Sequence, residues 1–467
     1  MFGGIGKAGW ATILVAGGLV LGTSVSAKAA DLGGDCCGDL EERIAELEAT
    51  TARKGNRKVS LEISGHVNEA VMFWDDGFES NAYVVTNDNS RSRFRFKGKA
   101  KINDEWSAGY LIEIGIRGAN SKRATQNDSS GCNASAADCG FDIRHNYWYI
   151  DSKKLGRVSL GRTGGAAEGV TELNVAHTKD VAKYSDVEDS GLGMLLRNSN
   201  GGLSGLQWRR LIGDSGDQQG EGERRSVIKY DTPEFKGFTA TAAWGTDDYW
   251  DVGLRYAAEH HGFEILAGIA YGENTDYADS ATSKESFFEC MHQVAATSDA
   301  KCNQLGGSVS VKHIESGLYA NFAAGQQQDD LILQDPTFVG TGADDTSKFW
   351  ALEAGIEKKW HSLGKTTIFG QYYDSEGGAN DRRGVNGGDA VNPFGATPSR
   401  IFSTGVEMFG GGVVQSIDAA SMLLYAYYRH YEADLTVMSG TGGGAGAIRD
   451  ADLEDLDVVM SGAMIKF

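Results

Sequence analysis

Proline is scarce in this sequence, and long hydrophobic runs are absent beyond the amino terminus. The four prolines among 467 residues, Pro233, Pro336, Pro393 and Pro398, each fall where the pattern predicts a turn or loop. A continuous sheet requires this, because proline cannot donate a hydrogen bond to the ladder. With no later apolar run of about 20 residues, the sequence excludes a helical membrane protein while leaving a membrane-spanning sheet open.

Basic residues are outnumbered by acidic ones, and the familiar catalytic motifs are absent. Lys and Arg number 44 against 64 Asp and Glu, a net charge of −20, which argues against a nucleic-acid partner. The sequence contains no Gly-x-Ser-x-Gly, His-Glu-x-x-His, phosphate-binding glycine loop or Cys-x-x-Cys motif. We therefore predict that the chain is not an enzyme and has no cofactor and no metal site.

The amino-terminal segment has the pattern of an export signal. Lys7 precedes an apolar run from Trp10 to Leu21, and Ala27-Lys28-Ala29 is a small-residue cleavage site. The alternative is a transmembrane anchor, but the run is short for a bilayer. We predict a cleaved signal peptide at residues 1–29.

Residues 30–57 contain the one convincing helix, Asp39 to Lys54. Leu40, Ile44 and Leu47 form a seam of coiled-coil type with charges around it. A helix this short is marginal alone in water. Two interpretations stay open, a periplasmic bundle that joins subunits and a solvated spacer.

Cysteine placement agrees with an oxidising compartment. Cys132 and Cys139 share one predicted loop and Cys290 and Cys302 share another, so each pair is a candidate for a local disulfide. The adjacent Cys36 and Cys37 could pair between subunits or stay free.

From Val59 onward, apolar and polar residues alternate as in strands. Leu61, Ile63 and Val67 share one face, and Glu62, Ser64, His66 and Asn68 share the other. A soluble sandwich and a membrane barrel both produce this pattern. Three features favour the barrel over residues 58–467: numerous strands, connections that alternate between short and long, and aromatic residues at strand ends.

The strand-like segments number eighteen, among them 192–199, 204–212 and 223–231. We expect one hairpin, around 204–231, to be misread or to belong to a loop. Short turns are predicted at Asn103 to Glu105, Ser152 to Leu155, His260 to Gly262 and His361 to Gly364. Long excursions are predicted at 119–140, 163–191, 273–307, 326–347, 376–399 and 437–454.

Residues 141 to 191 organise the chain. A strand, a tight turn and a strand ending in Leu160-Gly161-Arg162 lead into a long acidic segment, and Leu195 to Asn200 follow. Together with Arg93 to Gly98, Tyr83 to Asn89 and the Glu-Glu-Arg helix, this order resembles the alphaproteobacterial porin family, one of the general porins of Gram-negative outer membranes.

The resemblance implies an all-β fold, an antiparallel transmembrane β-barrel of 16 strands, although the segment count allows 18. It implies a third loop folded into the lumen and a short periplasmic helix. The implied function is a passive channel in the outer membrane for small hydrophilic solutes and ions. A sugar- or anion-specific channel and, less favoured, a surface adhesin barrel are the alternatives. The implied partners are outer-membrane lipid, two further copies in a homotrimer and the barrel-assembly machinery, which would read Phe467.

The predicted constriction sets loop acids against arginines. Alternation places Arg91, Arg93 and Arg95 in the lumen and Phe94 and Phe96 toward lipid; it also turns Arg144 and Arg197 inward, with Tyr147 and Leu196 outward. By resemblance, Arg93, Arg144, Arg162 and Arg197 match the basic ladder of the family. We choose Glu172, Asp180 and Asp186 as the facing acids by their position in the loop.

Overall fold

The computed structural model describes residues 58–131, 140–212, 218–245, 249–275, 301–335, 338–379, 399–439 and 447–467. The predicted signal peptide at 1–29 and the predicted helix within 30–57 lie outside these residues and stay predictions.

The described residues form an almost purely β structure. In chain order the elements are β1 (Glu62–Asp75), β2 (Ser80–Thr86), β3 (Arg93–Lys101), β4 (Trp106–Arg117), β5 (Gly140–Ser152), β6 (Gly156–Gly164), α1 (Thr178–Val181), β7 (Leu195–Arg197), β8 (Leu203–Gln207), α2 (Arg209–Ile212), β9 (Arg224–Asp231), β10 (Phe238–Gly245), β11 (Tyr249–His260), β12 (Phe263–Asn274), β13 (Cys302–His313), β14 (Leu318–Asp329), β15 (Thr346–His361), β16 (Gly364–Gly377), β17 (Ser399–Ile417), β18 (Met422–Ser439), β19 (Ile448–Asp450) and β20 (Leu456–Lys466). No helix among them is long and apolar enough to cross a bilayer.

Sixteen of these strands close into an antiparallel barrel, which confirms the predicted fold class. β1 pairs with β3 on one side and with β20 on the other, where His66 lies opposite Lys466. The remaining ring strands pair with their neighbours in chain order, with β6 paired to β9 and β18 paired to β20. β2 and β19 add short pairings to the outer parts of β1 and β18.

The alternative count of eighteen was wrong because it included a hairpin that is not part of the barrel. β7 and β8 form a separate two-stranded sheet inside the connection between β6 and β9. The strand at 223–231, by contrast, belongs to the ring as β9. Short strands with alternating residues have the same sequence pattern in a loop hairpin and in a barrel wall.

The connections alternate in length between the two ends of the barrel. The four predicted short turns join β3 to β4, β5 to β6, β11 to β12 and β15 to β16. The β11–β12 turn consists of His261 and Gly262 with φ of 48° and 83°, the left-handed pair that a two-residue hairpin of type I′ needs. The third loop, residues 165–223, is longer than the predicted 163–191.

The outer surface of the ring is apolar, as a lipid-facing wall requires. In β1, Val67 and Phe73 are 49% exposed, whereas Asn68 and Met72 are completely buried inside. Lipid offers no hydrogen bonds, so a sheet survives there only if its edges are closed.

One half of the barrel interior is a packed apolar core. Tyr373, Tyr431 and Met460 project from the wall and are fully buried against Leu192 and Trp208 of the third loop. Large barrels are too wide for wall side chains alone to fill. Burying each such side chain contributes about 1.5–3 kcal/mol, so the loop is held inside largely by the hydrophobic effect.

Candidate constriction site

The third loop leaves β6 and runs along the inner wall. The backbone N–H of Leu173 donates to Ser308 Oγ (3.2 Å), and that of Val175 donates to Ser310 Oγ (3.0 Å). Both serines lie in β13. Further on, the N–H of His177 donates to Glu357 Oε2 in β15 (2.9 Å).

Glu353 of β15 is the main anchor of this segment. Its Oε1 accepts hydrogen bonds from Asn174 Nδ2 (3.1 Å) and Thr178 Oγ1 (2.8 Å) of the loop. Asn321 and Gln371 donate to the same carboxylate from neighbouring strands, at 2.9 and 2.6 Å. A buried carboxylate with this many donors fixes the loop geometrically.

Beyond α1 the loop reaches the first outer loop, on the far side of the barrel. Asn87 Nδ2 donates to the carbonyl oxygen of Val181 (2.9 Å), and the N–H of Lys183 donates to Asn89 Oδ1 (2.8 Å). The loop therefore crosses the lumen from β6 to the connection between β2 and β3.

This crossing leaves a charged cavity of about 550 Å³ between the third loop and the wall formed by β3, β4, β5 and β9; we call it the waist. Its lining residues are Asp88, Asn89, Ser90, Arg91, Arg93, Arg117, Lys122, Arg123, Arg144, Glu168, Glu172, Lys183, Asp186, Glu188, Asp189, Arg209, Arg210, Gln218, Glu221, Gly222, Glu223 and Arg224. Almost all are polar or charged, in contrast to the apolar half of the interior.

A fully buried carboxylate, Glu113 of β4, organises the arginine side of the waist. Its Oε1 accepts from Arg93 Nη1 (3.2 Å) and Arg144 Nε (2.9 Å), and its Oε2 accepts from Arg95. Three guanidinium groups from β3 and β5 thus converge on one carboxylate. A second acid, Asp142, binds Arg91 and Arg117, each at 3.3 Å.

The loop side of the waist combines acids with a lysine. Lys183 Nζ lies 2.6 Å from both Glu172 Oε2 and Asp186 Oδ2. Burial, together with the Glu172 carboxylate, raises the pKa of Asp186 to about 7 despite the Lys183 ammonium. Burial would also raise the pKa of Glu172, but Lys183 outweighs it and lowers that pKa. Burial raises the pKa of Asp189 to about 6, although Lys122 opposes the shift.

Glu221 is a further buried acid on this side. It accepts hydrogen bonds from Thr171 Oγ1 (2.6 Å) and from the backbone N–H groups of Thr171 (3.3 Å) and Gly169. Burial, with Glu172 and Asp186 nearby, raises the pKa of Glu221 well above its usual range.

Four of the predicted site residues line the waist: Arg93, Arg144, Glu172 and Asp186. Arg95 binds the same Glu113 as Arg93 and Arg144 but does not line the cavity.

Three predicted residues lie elsewhere. Arg162 pairs across strands with the exposed Asn146 and Ser226 and donates from Nε to the carbonyl oxygen of Ile143 (2.9 Å). Arg162 therefore lies with these two residues on the outer face of the barrel, because strand alternation turns its side chain away from the lumen. Asp180 binds Lys466 Nζ at 2.8 Å, away from the waist.

Arg197 lies in β7, the loop hairpin, and not on a barrel strand. Its Nη2 lies 2.8 Å from Asp76 Oδ2 and 3.1 Å from Glu79 Oε2, so it ties the hairpin to the first outer loop. Leu196, predicted to face lipid, is fully buried. The prediction failed because it treated the β7–β8 hairpin of the third loop as part of the membrane-spanning wall.

Tyr147 was also placed on the wrong face. The pairing of β4 with β5 shifts register between Glu113 and Ile114, leaving Arg144 as an extra residue. Such a bulge moves the following side chains to the opposite face. Tyr147 therefore turns inward and packs beside Tyr149, which is 4% exposed, while Trp148 is exposed outward.

Glu113, Glu168, Glu221 and Arg224 were missed. Arg224 Nε lies 2.5 Å from Glu168 Oε1, at the start of β9. Glu113 had a sequence signal, since a lone acid between Ile112 and Ile114 in an alternating strand must face the interior. The other three depend on the path of the long loop, for which no local pattern exists.

The remaining predicted residues can be placed in part. Phe467 completes the ring through paired backbone hydrogen bonds with Gly65 at 2.9 and 3.0 Å. Cys302 is fully buried. Cys132, Cys139 and Cys290 lie outside the described residues, as do Cys36 and Cys37, so the two predicted pairings stay predictions.

A closed sixteen-strand barrel with an apolar exterior and a charged waist defines a membrane channel. The family model for Gram-negative porins matches residues 11–450. The chain belongs to the Gram-negative porin family. It is an outer-membrane channel for small solutes, and the family consists of channels and not enzymes.

The solved structure of a porin supports the fold, and two others show weaker similarity. The anion-selective porin from Comamonas acidovorans is 15% identical, with a TM-score of 0.50, covering 88% of this chain and 100% of that one. OmpT of Vibrio cholerae in a trimer form and OmpF of Salmonella typhi in complex with daunomycin are each 12% identical, with TM-scores of 0.47. The OmpT match covers 88% of this chain and 99% of the OmpT chain, and the OmpF match covers 88% of this chain and 98% of the OmpF chain. No curated protein is significantly similar to the chain by sequence.

Proposed function

We propose that solutes cross the barrel through the waist, by passive diffusion, and that the third loop and the arginine wall together set the size limit. The observation that carries this proposal is the placement of charge. Charged groups occupy both sides of the waist, whereas the other half of the interior is closed by packed apolar side chains. The waist therefore offers water and hydrophilic solutes a polar route through the part of the barrel that the structure describes.

The opposed charges would also act on the solutes. Unit charges about 4 Å apart interact by roughly 4 kcal/mol at an effective dielectric constant near 20. An electric field between the loop side, with Glu172, and the wall side, with Arg93, would orient dipolar solutes. It would disfavour apolar solutes, because they gain no interaction with the charges to replace the water that they displace.

General diffusion is favoured over a sugar-specific channel by the location of the aromatic residues. A sugar path would need aromatic faces open to the solute along the lumen. Tyr373, Tyr427 and Tyr431 lie inside the barrel, but each is no more than 3% exposed because the third loop packs against them.

Single-channel conductance in planar bilayers, with a graded series of neutral polymers, tests the proposal. Arg144→Ala should widen the waist, raising both the conductance and the size of the smallest excluded polymer. Arg162→Ala is the matched control, because it removes the same side chain from the outer face. Equal effects of the two variants would contradict the proposal, and the absence of any current would favour an adhesin barrel.

We extend the proposal to assembly: three copies form a homotrimer in outer-membrane lipid, and the assembly machinery reads Phe467. The Phe467 side chain is 61% exposed at the end of the last strand, where a partner protein could reach it before the barrel closes. Phe467→Ser should lower the yield of folded protein in the outer membrane. Chemical cross-linking that stops at one subunit would contradict the trimer.

A further inference from the structure

We infer that Arg429 of β18 is a positioning residue for the waist. It holds the segment from Lys183 to Ser190 of the third loop in place and so sets the width of the opening, although it does not line the cavity. This inference rests on the proposed function in one respect, that solutes pass through the waist. It adds a residue of a strand outside the waist to the groups that determine its width.

The segment from Lys183 to Ser190 supplies much of the loop side of the waist. Apart from one turn of 3-10 helix at Val187–Asp189, it has no regular structure. Its buried backbone oxygens therefore need hydrogen-bond donors from other parts of the chain. Whatever holds this backbone also places the charged side chains of the segment that line the cavity, Lys183, Asp186, Glu188 and Asp189.

The inner face of β18 supplies these donors. Arg429 donates from Nη2 to the carbonyl oxygen of Lys183 (2.5 Å) and from Nη1 to that of Val187 (3.3 Å). Tyr431, the next inward residue of the strand, donates from its hydroxyl to the carbonyl oxygens of Val187 (3.0 Å) and Ser190 (3.1 Å). A guanidinium group and a hydroxyl group of one strand thus bind backbone oxygens at both ends and in the middle of the segment.

Arg429 is buried with oxygen acceptors but without a counter-ion. Its exposed fraction is 0%, and among the residues that the structure describes it forms no ion pair with a carboxylate. Its third acceptor is Gln371 Oε1, at 3.0 Å. An apolar side chain would fill this space at a lower cost, because a buried guanidinium group must give up its water. What the arginine adds is direction, since a hydrogen bond requires an aligned donor and acceptor.

The neighbouring strand leaves room for the side chain of Arg429. Gly410 of β17 lies opposite Arg429 in the strand pairing. A Cβ atom at Gly410 would lie 2.9 Å from Cγ of Arg429, closer than real Cβ atoms approach another atom. Glycine inside a strand commonly marks such a close approach. The absence of a side chain at Gly410 therefore allows the arginine to extend along the wall to the loop.

Apolar contacts hold the same segment inside the barrel but do not fix its position. Tyr184 and Val187 are 1% and 0% exposed and belong to the packed core of the interior. Hydrophobic attraction has no preferred direction, so a small shift of the segment along the wall would keep these side chains buried while moving Lys183 and Asp186. We therefore assign retention of the segment to its apolar contacts and its exact position to Arg429.

The rate of thiol labelling within the segment measures its position. Ser185 is fully buried, and among the described residues its hydroxyl has no hydrogen-bond partner, so Ser185→Cys should disturb the structure little. This cysteine should react slowly with a charged thiol reagent, above the baseline of the unsubstituted protein. Adding Arg429→Met, which removes the donors, should raise the rate about tenfold or more, the effect expected when hydrogen bonds from a charged group are lost. Arg429→Lys, with a shorter reach, should give an intermediate rate.

Arg400→Met is the matched control. Arg400 is a buried arginine of β17, 5% exposed, and it binds Asp335 of a different outer loop at 2.9 Å. Its replacement should leave the labelling rate of Ser185→Cys unchanged. Should Arg429→Met fail to fold, Tyr431→Phe removes only one hydroxyl group from the same contact and should raise the rate several-fold.

Single-channel recordings give the second readout, because each current comes from one folded channel, however many channels fold. Arg429→Met should admit larger neutral polymers than the intact protein. If Arg429 only stabilised the fold, its loss would reduce the number of channels but leave the labelling rate and the polymer limit of the remaining ones unchanged, and that result would overturn the inference. Faster labelling with an unchanged polymer limit would confirm that Arg429 positions the segment and would contradict the proposed passage through the waist.

Discussion

Arg144 and Glu113 form a hydrogen-bonded ion pair inside the barrel, with Nε of the arginine 2.9 Å from Oε1 of the glutamate. Arg144 is the extra residue of a bulge in β5, and the bulge turns its side chain into the lumen. A local irregularity in strand pairing therefore places one of the groups that define the waist.

The first prediction concerns Glu113→Gln. Loss of its charge leaves three arginines close together without their shared counter-ion, and breaking a buried ion pair from one side costs about 3–5 kcal/mol. We expect a loss of this size in the free energy of unfolding, measured by urea titration in detergent micelles.

Glu259→Gln is the control for this variant, because Glu259 is an exposed carboxylate at the inner end of β11. It should change the free energy of unfolding by less than about 0.5 kcal/mol. If both variants were equally stable, Glu113 would not be the organising group of the wall.

The second prediction concerns the anchor of the third loop. Glu353→Ala leaves the donors of Asn174, Thr178 and Gln371 without their acceptor, and each buried unsatisfied donor costs about 1–3 kcal/mol. We expect the loop to detach in part, visible as larger and noisier single-channel currents.

Glu353→Gln retains one acceptor oxygen and should restore most of the steady current. A quiet Glu353→Ala channel of unchanged conductance would show that apolar packing alone holds the loop.

The third prediction concerns pH. Asp186 and Asp189 have pKa values raised by burial, to about 7 and about 6. Both face the ammonium groups of Lys183 and Lys122, and Glu172 lies beside Asp186. As pH falls through these values the two acids become neutral while the lysines stay charged. The chloride-to-potassium permeability ratio should therefore rise between about pH 8 and pH 5.

Asp186→Asn should remove the upper part of this rise, near pH 7, and leave the lower part. The measurement is the reversal potential at a series of pH values. A chloride-to-potassium permeability ratio that falls on acidification would contradict this prediction, because protonation of these carboxylates removes negative charge and should raise the ratio.

The fourth prediction concerns Arg197, which the sequence pattern assigned to the filter. It is 5% exposed and binds Asp76 through both Nε and Nη2, at 3.0 and 2.8 Å. Arg197→Ala should release the β7–β8 hairpin and make it susceptible to added protease. Ion selectivity should stay unchanged, because Arg197 does not line the waist. A large shift in reversal potential would restore its filter role.

Strand alternation was enough to predict the barrel, because a period of two residues sorts every wall position between lipid and interior. It placed Arg93 and Arg95 correctly on the inner face, since β3 is regular. It misplaced Tyr147 because a bulge changes the face without changing the residue pattern.

The interior of the barrel could not be predicted in the same way. The resemblance implied one loop folded into the lumen, but the third loop continues through β7, β8 and α2 and packs against the inner wall. Its contacts, such as that of Thr404 Oγ1 with the carbonyl oxygen of Leu211 at 2.6 Å, join residues far apart in the chain. Periodicity within a segment contains no information about such pairs.

The most direct test of passage through the waist is covalent block. Glu223 lines the waist, and Ser226, three residues later in the chain, is exposed on the outer face. The variants Glu223→Cys and Ser226→Cys are treated with a bulky thiol reagent while single-channel current is recorded, with the unsubstituted protein as the baseline for its own cysteines. We expect the current of Glu223→Cys to fall by more than half and that of Ser226→Cys to stay at baseline. An unchanged current through labelled Glu223→Cys would mean that solutes take another route.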